Sequence, residues 1–314
     1  MIKKNIAIIG LGKQGAVHFD AALKLQKEGR INLLAVCDKD ITFINKLSKE
    51  HKISGFSNYK DLLSKYEKDL DLLILCLPNN VYPEIILNCL NKKYIVLKEK
   101  PFASSLPEST TYEFLEEGRK IMIRTAQQRF FTKAYIFAKK CIDSGLIGKP
   151  LFFEYQYSLN DERESWYWDK KAGGGCWINV GWHMIFIIIW FFGNPDIINV
   201  SKIRADKRCW KYDTDDSVMF SCKYNSGLVG NGFISVADTF KEKKFKIVGD
   251  KGYLIIIKNK LTLYNNEDEI IKEIEGEEES EIYKKQILDI LKNGKKISEL
   301  EKYNIATMKI INSY

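Results

Sequence analysis

Short apolar runs alternate with amphipathic stretches through the first 125 residues. Residues 4–9, 31–37, 71–76, 94–98 and 120–124 are the predicted strands, and the stretches between them carry the spacing of helices with one apolar face. Leu70 to Leu77 is apolar apart from Asp71, as befits a strand covered on both faces. This rhythm predicts an α/β fold with a doubly wound parallel sheet, binding its ligand at the carboxyl ends of the strands. From Pro150 the pattern changes. Candidate strands at 151–158, 197–204, 217–224, 228–236, 244–249 and 252–257 follow one another, with turns such as Asn225-Ser226-Gly227 and Gly249-Asp250-Lys251-Gly252 between them. Helices are expected at 132–144, around 176–192, and as a pair from about 279. The second half is therefore predicted to be an α+β domain on a largely antiparallel, open sheet, with a boundary at 123/124.

The first strand runs directly into a glycine pattern: Asn5 to Gly15 reads Asn-Ile-Ala-Ile-Ile-Gly-Leu-Gly-Lys-Gln-Gly. In GxGxxG, Gly10 makes the tight turn, Gly12 lets the backbone approach a pyrophosphate and Gly15 allows close packing of helix on strand. The free N–H groups of the following helix would hold the anion, with Lys13 and Gln14 beside it. The second strand ends at Asp38, at the distance expected for a carboxylate that holds the adenosine ribose hydroxyls. Asp38 favours NAD, and Lys39 leaves NADP open.

Composition narrows the class. Apolar residues make up 45% and charged residues 29% of 314, which argues against disorder and a membrane protein. The longest apolar run, Met184 to Phe192, is nine residues, against about 20 for a bilayer span. The chain enters its first strand without a signal-peptide pattern, and a cytoplasmic protein is expected. Seven cysteines, at 37, 76, 89, 141, 176, 209 and 222, form no CxxC pair and suit reduced core thiols. His18, His51 and His183 predict no metal site. The net charge of +8 is dispersed along the chain without a basic block or a nucleic-acid motif, so neither nucleic acid nor membrane is an expected partner.

GxGxxG, Leu77-Pro78-Asn79, Lys98-Glu99-Lys100-Pro101, Gly145-Leu146-Ile147-Gly148, and Gly173-Gly174-Gly175 followed by Asn179-xxx-His183 stand in one order along the chain. In this the chain resembles the glucose–fructose oxidoreductase/inositol dehydrogenase/MocA family. The resemblance implies a dinucleotide-binding domain over 1–123 and a substrate-binding and oligomerisation domain over 124–314, with C-terminal helices able to pack back on the first. It further implies NAD(P)-dependent hydride transfer at a carbinol or ketone of a sugar, cyclitol or sugar derivative, whether or not nucleotide-linked, in a homodimer or homotetramer. Leu77, Pro78, Asn79, Glu99 and Lys100 join the expected cofactor set, Glu99 at the nicotinamide ribose.

Three residues carry the expected chemistry. Lys100 follows a strand and so lies at the carboxyl edge, where an ammonium can stabilise a developing alkoxide. The intrinsic pKa of an imidazole lies near neutrality, so His183 suits the proton transfer. Asn179 is four residues before it, on one face if both are helical. Many family members carry Asp at that position. Tyr82 and Phe186 are two further departures, and together they keep open a second reading: a dinucleotide-binding sensor that has lost its chemistry. Trp168 and Tyr157 offer aromatic faces to a sugar ring.

Overall fold

The computed structural model describes residues 3–160, 166–205, 211–294 and 299–314. It divides into two compact units: Met1–Gln128 with Glu278–Lys302, and Arg129–Glu277 with Tyr303–Tyr314.

In the first unit the chain alternates as expected: β1 (Lys4–Ile9), α1 (Lys13–Lys27), β2 (Ile31–Cys37), α2 (Ile41–His51), β3 (Ser54–Phe56), α3 (Tyr59–Tyr66), β4 (Leu72–Leu75), α4 (Tyr82–Asn88), β5 (Ile95–Lys98), α5 (Leu106–Glu117) and β6 (Ile123–Thr125). The sheet runs β3-β2-β1-β4-β5-β6 with every neighbouring pair parallel. The strand order reverses between β1 and β4, which opens a crevice at the carboxyl edge for a ligand. β4 and β5 are buried at every residue, which explains their unbroken apolar runs. The strand β3 was not anticipated. Ser-Gly-Phe is half-buried and too short to show a period.

The second unit contains α6 (Lys133–Asp143), β7 (Pro150–Asn160), α7 (Trp182–Phe192), β8 (Ile197–Ile203), β9 (Ser217–Lys223), β10 (Val229–Ser235), β11 (Ala237–Gly249), β12 (Gly252–Ile257), β13 (Lys260–Tyr264) and β14 (Ile270–Ile274). Among the described residues these strands form one sheet, β14-β13-β12-β11-β7-β10-β9-β8. It is antiparallel except for the parallel pair β7–β10. One face is buried under α7. Phe192 stacks on Phe153 of β7 at 5.5 Å, and Phe191 on Phe245 of β11 at 6.0 Å. The apolar run that ends at Phe192 is thus a buried helix, and among the described residues no helix is long and apolar enough to cross a membrane.

The chain then returns. α8 (Glu279–Asn293) belongs to the first unit, where Tyr283, Ile287 and Ile290 enter the same buried cluster as Phe19, Ala22 and Leu25 of α1. α9 (Glu299–Asn312) divides between the units at Lys302. Cys37, Cys76, Cys89, Cys141, Cys176 and Cys222 are free thiols; Cys209 lies outside the described residues.

Candidate active site

The carboxyl edge of the parallel sheet collects the first group of site residues. Gly10 adopts φ +87° and donates its N–H to Cys37 O, a turn an L side chain resists. A Cβ on Gly10 would lie 2.2 Å from Cys76 O, and one on Gly15 1.9 Å from Gly10 O. Both positions are glycine because backbone packs on backbone there. Gly12 differs: a Cβ would meet nothing within 4 Å. It caps α1 without a side-chain hydrogen bond, so the free space and the helix N–H groups suit a pyrophosphate. Asp38 braces the same turn, with Oδ2 accepting from Leu11 N at 2.7 Å and Oδ1 from Asp40 N at 3.1 Å. A carboxylate has about four acceptor positions, so room for ribose hydroxyls remains. Lys13 and Lys39 are exposed and Gln14 is half-buried. After β4, Leu77 and Pro78 are half-buried and Asn79 is buried at the start of a short 3-10 turn.

Glu99 follows β5 and is buried, 6% exposed. Its Oε1 meets His18 Nε2 of α1 at 2.9 Å and accepts from Gln128 Nε2 at 3.3 Å. Gln128 also donates to the Tyr283 hydroxyl at 2.5 Å, which donates to Gln14 Oε1 at 2.9 Å. The other oxygen, Glu99 Oε2, is buried and has no hydrogen-bond donor among the described residues. A carboxylate oxygen withdrawn from water needs a donor, and a ribose hydroxyl would supply one. The residues present therefore fit a dinucleotide. Cys76 also approaches: one donor atom each of His18, Cys76 and Glu99 lie within 4.8 Å of one another. The hydrogen bond between His18 and Glu99 accounts for the closeness of that pair, and burial pushes the Cys76 thiol well above its usual pKa.

Lys100 is half-buried in the next loop, joined to Pro101 by a cis peptide bond. Beneath it stands a residue that sequence reasoning passed over. Lys98 ends β5 at 1% exposure, donates to backbone carbonyls of that loop, and lies 4.2 Å from the centre of the Tyr82 ring. Burial lowers its pKa to about 7, against the opposing pull of Glu108 and Glu99. The sequence carried a signal in the form of a lysine closing an otherwise apolar strand.

The second unit holds the remaining candidates. Asn179 lies in a π-helical turn, Trp177–Gly181, and His183 is the second residue of α7. The expected single α-helical face therefore does not describe this pair. Asn179 is buried, and its Nδ2 donates to Gly175 O at 3.1 Å and Gly173 O at 3.3 Å. Its amide closes the triple-glycine turn, a task that needs a donor. From Trp182 to Phe191 every residue is buried except His183, which is half-buried. Its ring is thus set apart from the apolar core its neighbours form. Phe186 is buried with its ring 6.2 Å from Tyr303. Trp168 is buried edge-on to Tyr212 at 5.2 Å, and Tyr157 is half-buried under the Lys243 ammonium at 4.8 Å.

Comparison with known proteins places the chain in a family. Residues 4–124 match an oxidoreductase family with an NAD-binding Rossmann fold, and residues 135–255 match the GFO/IDH/MocA C-terminal domain. An uncharacterized oxidoreductase of Schizosaccharomyces pombe is 27% identical over 214 residues, 67% of this chain and 57% of that protein. The chain thus spans little more than half the length of that relative. The scyllo-inositol 2-dehydrogenase (NAD(+)) of Bacillus subtilis is 24% identical over 256 residues, 80% of this chain and 72% of the other. Levoglucosan dehydrogenase, solved in complex with NADH and levoglucosan, superposes with a TM-score of 0.86 at 18% identity, covering 99% of this chain and 96% of that one. At that identity the likeness speaks for the fold alone.

The Asn179 hydrogen bonds yield a prediction. In Asn179→Asp a carboxylate replaces the donor and faces two carbonyls. Leaving buried polar groups unmatched costs about 1–3 kcal/mol. Urea unfolding at neutral pH should show that loss, shrinking as the pH falls and the new carboxyl gains a proton. Unchanged stability across pH would contradict the assigned role of the amide.

Proposed function

Since the chain belongs to the Gfo/Idh/MocA oxidoreductase family, we propose that it is an NAD-dependent enzyme interconverting a secondary carbinol and its ketone on a sugar, cyclitol or sugar derivative. The observation that carries this reading is the buried, donor-less oxygen of Glu99 at the edge where the glycine turn and Asp38 also end. The relative named for inositol supports the substrate class. Asp38 supports NAD over NADP, because a carboxylate opposes a 2′-phosphate.

Bound nicotinamide supplies or accepts the hydride. In this reading Lys100 donates a hydrogen bond to the carbinol oxygen and stabilises the charge that develops there. His183 takes the hydroxyl proton in oxidation and returns it in reduction. Asn179 Nδ2 holds the glycine turn. The sensor reading drew on Asn179 as a lost charge; the hydrogen bonds to Gly173 and Gly175 supply a structural reason for the amide and favour the enzyme.

A second copy of the chain is proposed to cover the outer face of the eight-stranded sheet. The strand register sets one row across it: Ile197, Lys223, Val229, Phe152, Val248, Tyr253, Tyr264 and Ile270. All but Lys223 are apolar or aromatic, and Ile197, Val229 and Ile270 are exposed. Such a row favours association over solvent.

Two outcomes are expected. Lys100→Ala should lose on the order of a hundred- to a thousand-fold in kcat/KM, the usual worth of one transition-state donor, while NADH fluorescence titration shows nearly unchanged binding. A variant as fast as wild type would refute the role of Lys100. Light scattering at micromolar concentration should show a dimer or tetramer, and Val229→Glu should shift it to monomer. A monomeric wild type would refute the docking surface.

A further inference from the structure

Lys98 is a buried cation that the proposed reaction does not consume. Its Nζ donates to the carbonyls of Glu99 at 3.2 Å, Phe102 at 3.1 Å and Pro101. These carbonyls stand on both sides of Lys100 in the chain. An ammonium carries three N–H donors, so donors and acceptors match one to one. The Tyr82 ring closes the remaining side at 4.2 Å from Nζ, a favourable position for a desolvated cation. Tyr82 is itself fixed, its hydroxyl accepting from Leu77 N at 3.1 Å and donating to Leu75 O at 3.3 Å. The departure noted at residue 82 and the unexpected lysine at residue 98 thus form one device.

We propose that Lys98 is a positioning residue for Lys100, its ammonium clasping the loop from Glu99 to Phe102 so that the Lys100 amine is held where the reaction needs it. This inference rests on the assignment of Lys100 under the proposed function. The clasp has a built-in weakness. Glu99 and Lys100 from the same loop, Glu108 of α5, Glu301 of α9 and the Tyr82 ring of α4 face the Lys98 ammonium. Desolvation outweighs the three carboxylates, and the amine loses its proton near neutrality, at a pKa of about 7. A neutral amine has two N–H groups for three carbonyls. One carbonyl then faces a lone pair, and the loop loosens as the pH rises.

The test is amide hydrogen exchange over residues 99–103, with kinetics beside it. Lys98→Met keeps the length of the side chain and removes every donor. Exchange in that segment should quicken by about tenfold or more, the worth of a lost charged hydrogen bond, while amides of β1 and β4 stay as in wild type. The kcat should fall by a similar factor with NADH binding nearly unchanged, and the alkaline limb of the wild-type pH–rate profile should vanish. Wild type alone gives a second measurement if the variant does not fold. Between about pH 6 and pH 8.5, exchange corrected for intrinsic rates should quicken in 99–103 and not elsewhere. Exchange in 99–103 indifferent to the substitution, or to pH in wild type, overturns the clasp. If Lys100→Ala turns over normally while exchange behaves as expected, the assignment of Lys100 fails and the clasp stands as a purely structural feature.

Discussion

A carboxylate withdrawn from water has to be met by donors, and Glu99 imposes that requirement on several elements of the first unit at once. His18 comes from the helix that follows the glycine turn, and Gln128 from the end of the first pass of the chain. Tyr283 comes from α8, after the chain has built the second sheet and returned, and it links Gln128 to Gln14 at the mouth of α1. One oxygen is thereby saturated and the other left for a ligand. The glycine fingerprint, the loop after β5 and the returning helix are parts of one arrangement for that reason. Tyr283 is buried, and desolvation raises its hydroxyl pKa well above the usual value, so the linking phenol stays neutral and able to donate.

The same logic of donors against acceptors explains two further polar residues, Lys98 and Asn179. Lys98 is tolerated inside a parallel sheet because carbonyls and an aromatic face surround it. Asn179 is an amide because two glycine carbonyls need an N–H. Read as charges, both residues look like a gain and a loss of chemistry. Read as hydrogen-bonding groups, Lys98 binds the loop around Lys100 and Asn179 closes the triple-glycine turn.

Much of the fold was legible in the sequence, and the reasons are physical. Strands buried on both faces, such as β4 and β5, must be apolar throughout, and the glycine spacing marks a turn where backbone meets backbone. The change of rhythm at Pro150 marked the second sheet. The strand β3 escaped notice because three residues carry little periodicity; β13 was missed although Lys260 to Tyr264 alternates in burial, and β14 is mostly exposed and reads as a solvated hairpin. Local signals for Lys100, His183 and Asp38 were present because each follows a recognisable turn or strand end. His18, Gln128 and Tyr283 had none, since their roles exist only once residues far apart in sequence meet. The backbone carbonyls of Gly173 and Gly175 that accept from Asn179 Nδ2 are announced by no side-chain pattern.

In the proposed function the first unit holds an NAD molecule through Asp38 and the open oxygen of Glu99. Titration of the wild-type protein with NADH and with NADPH, followed by nicotinamide fluorescence, addresses it directly. Saturable binding of NADH and weaker binding of NADPH are expected. Failure to bind either cofactor, or tighter binding of NADPH, would contradict this reading.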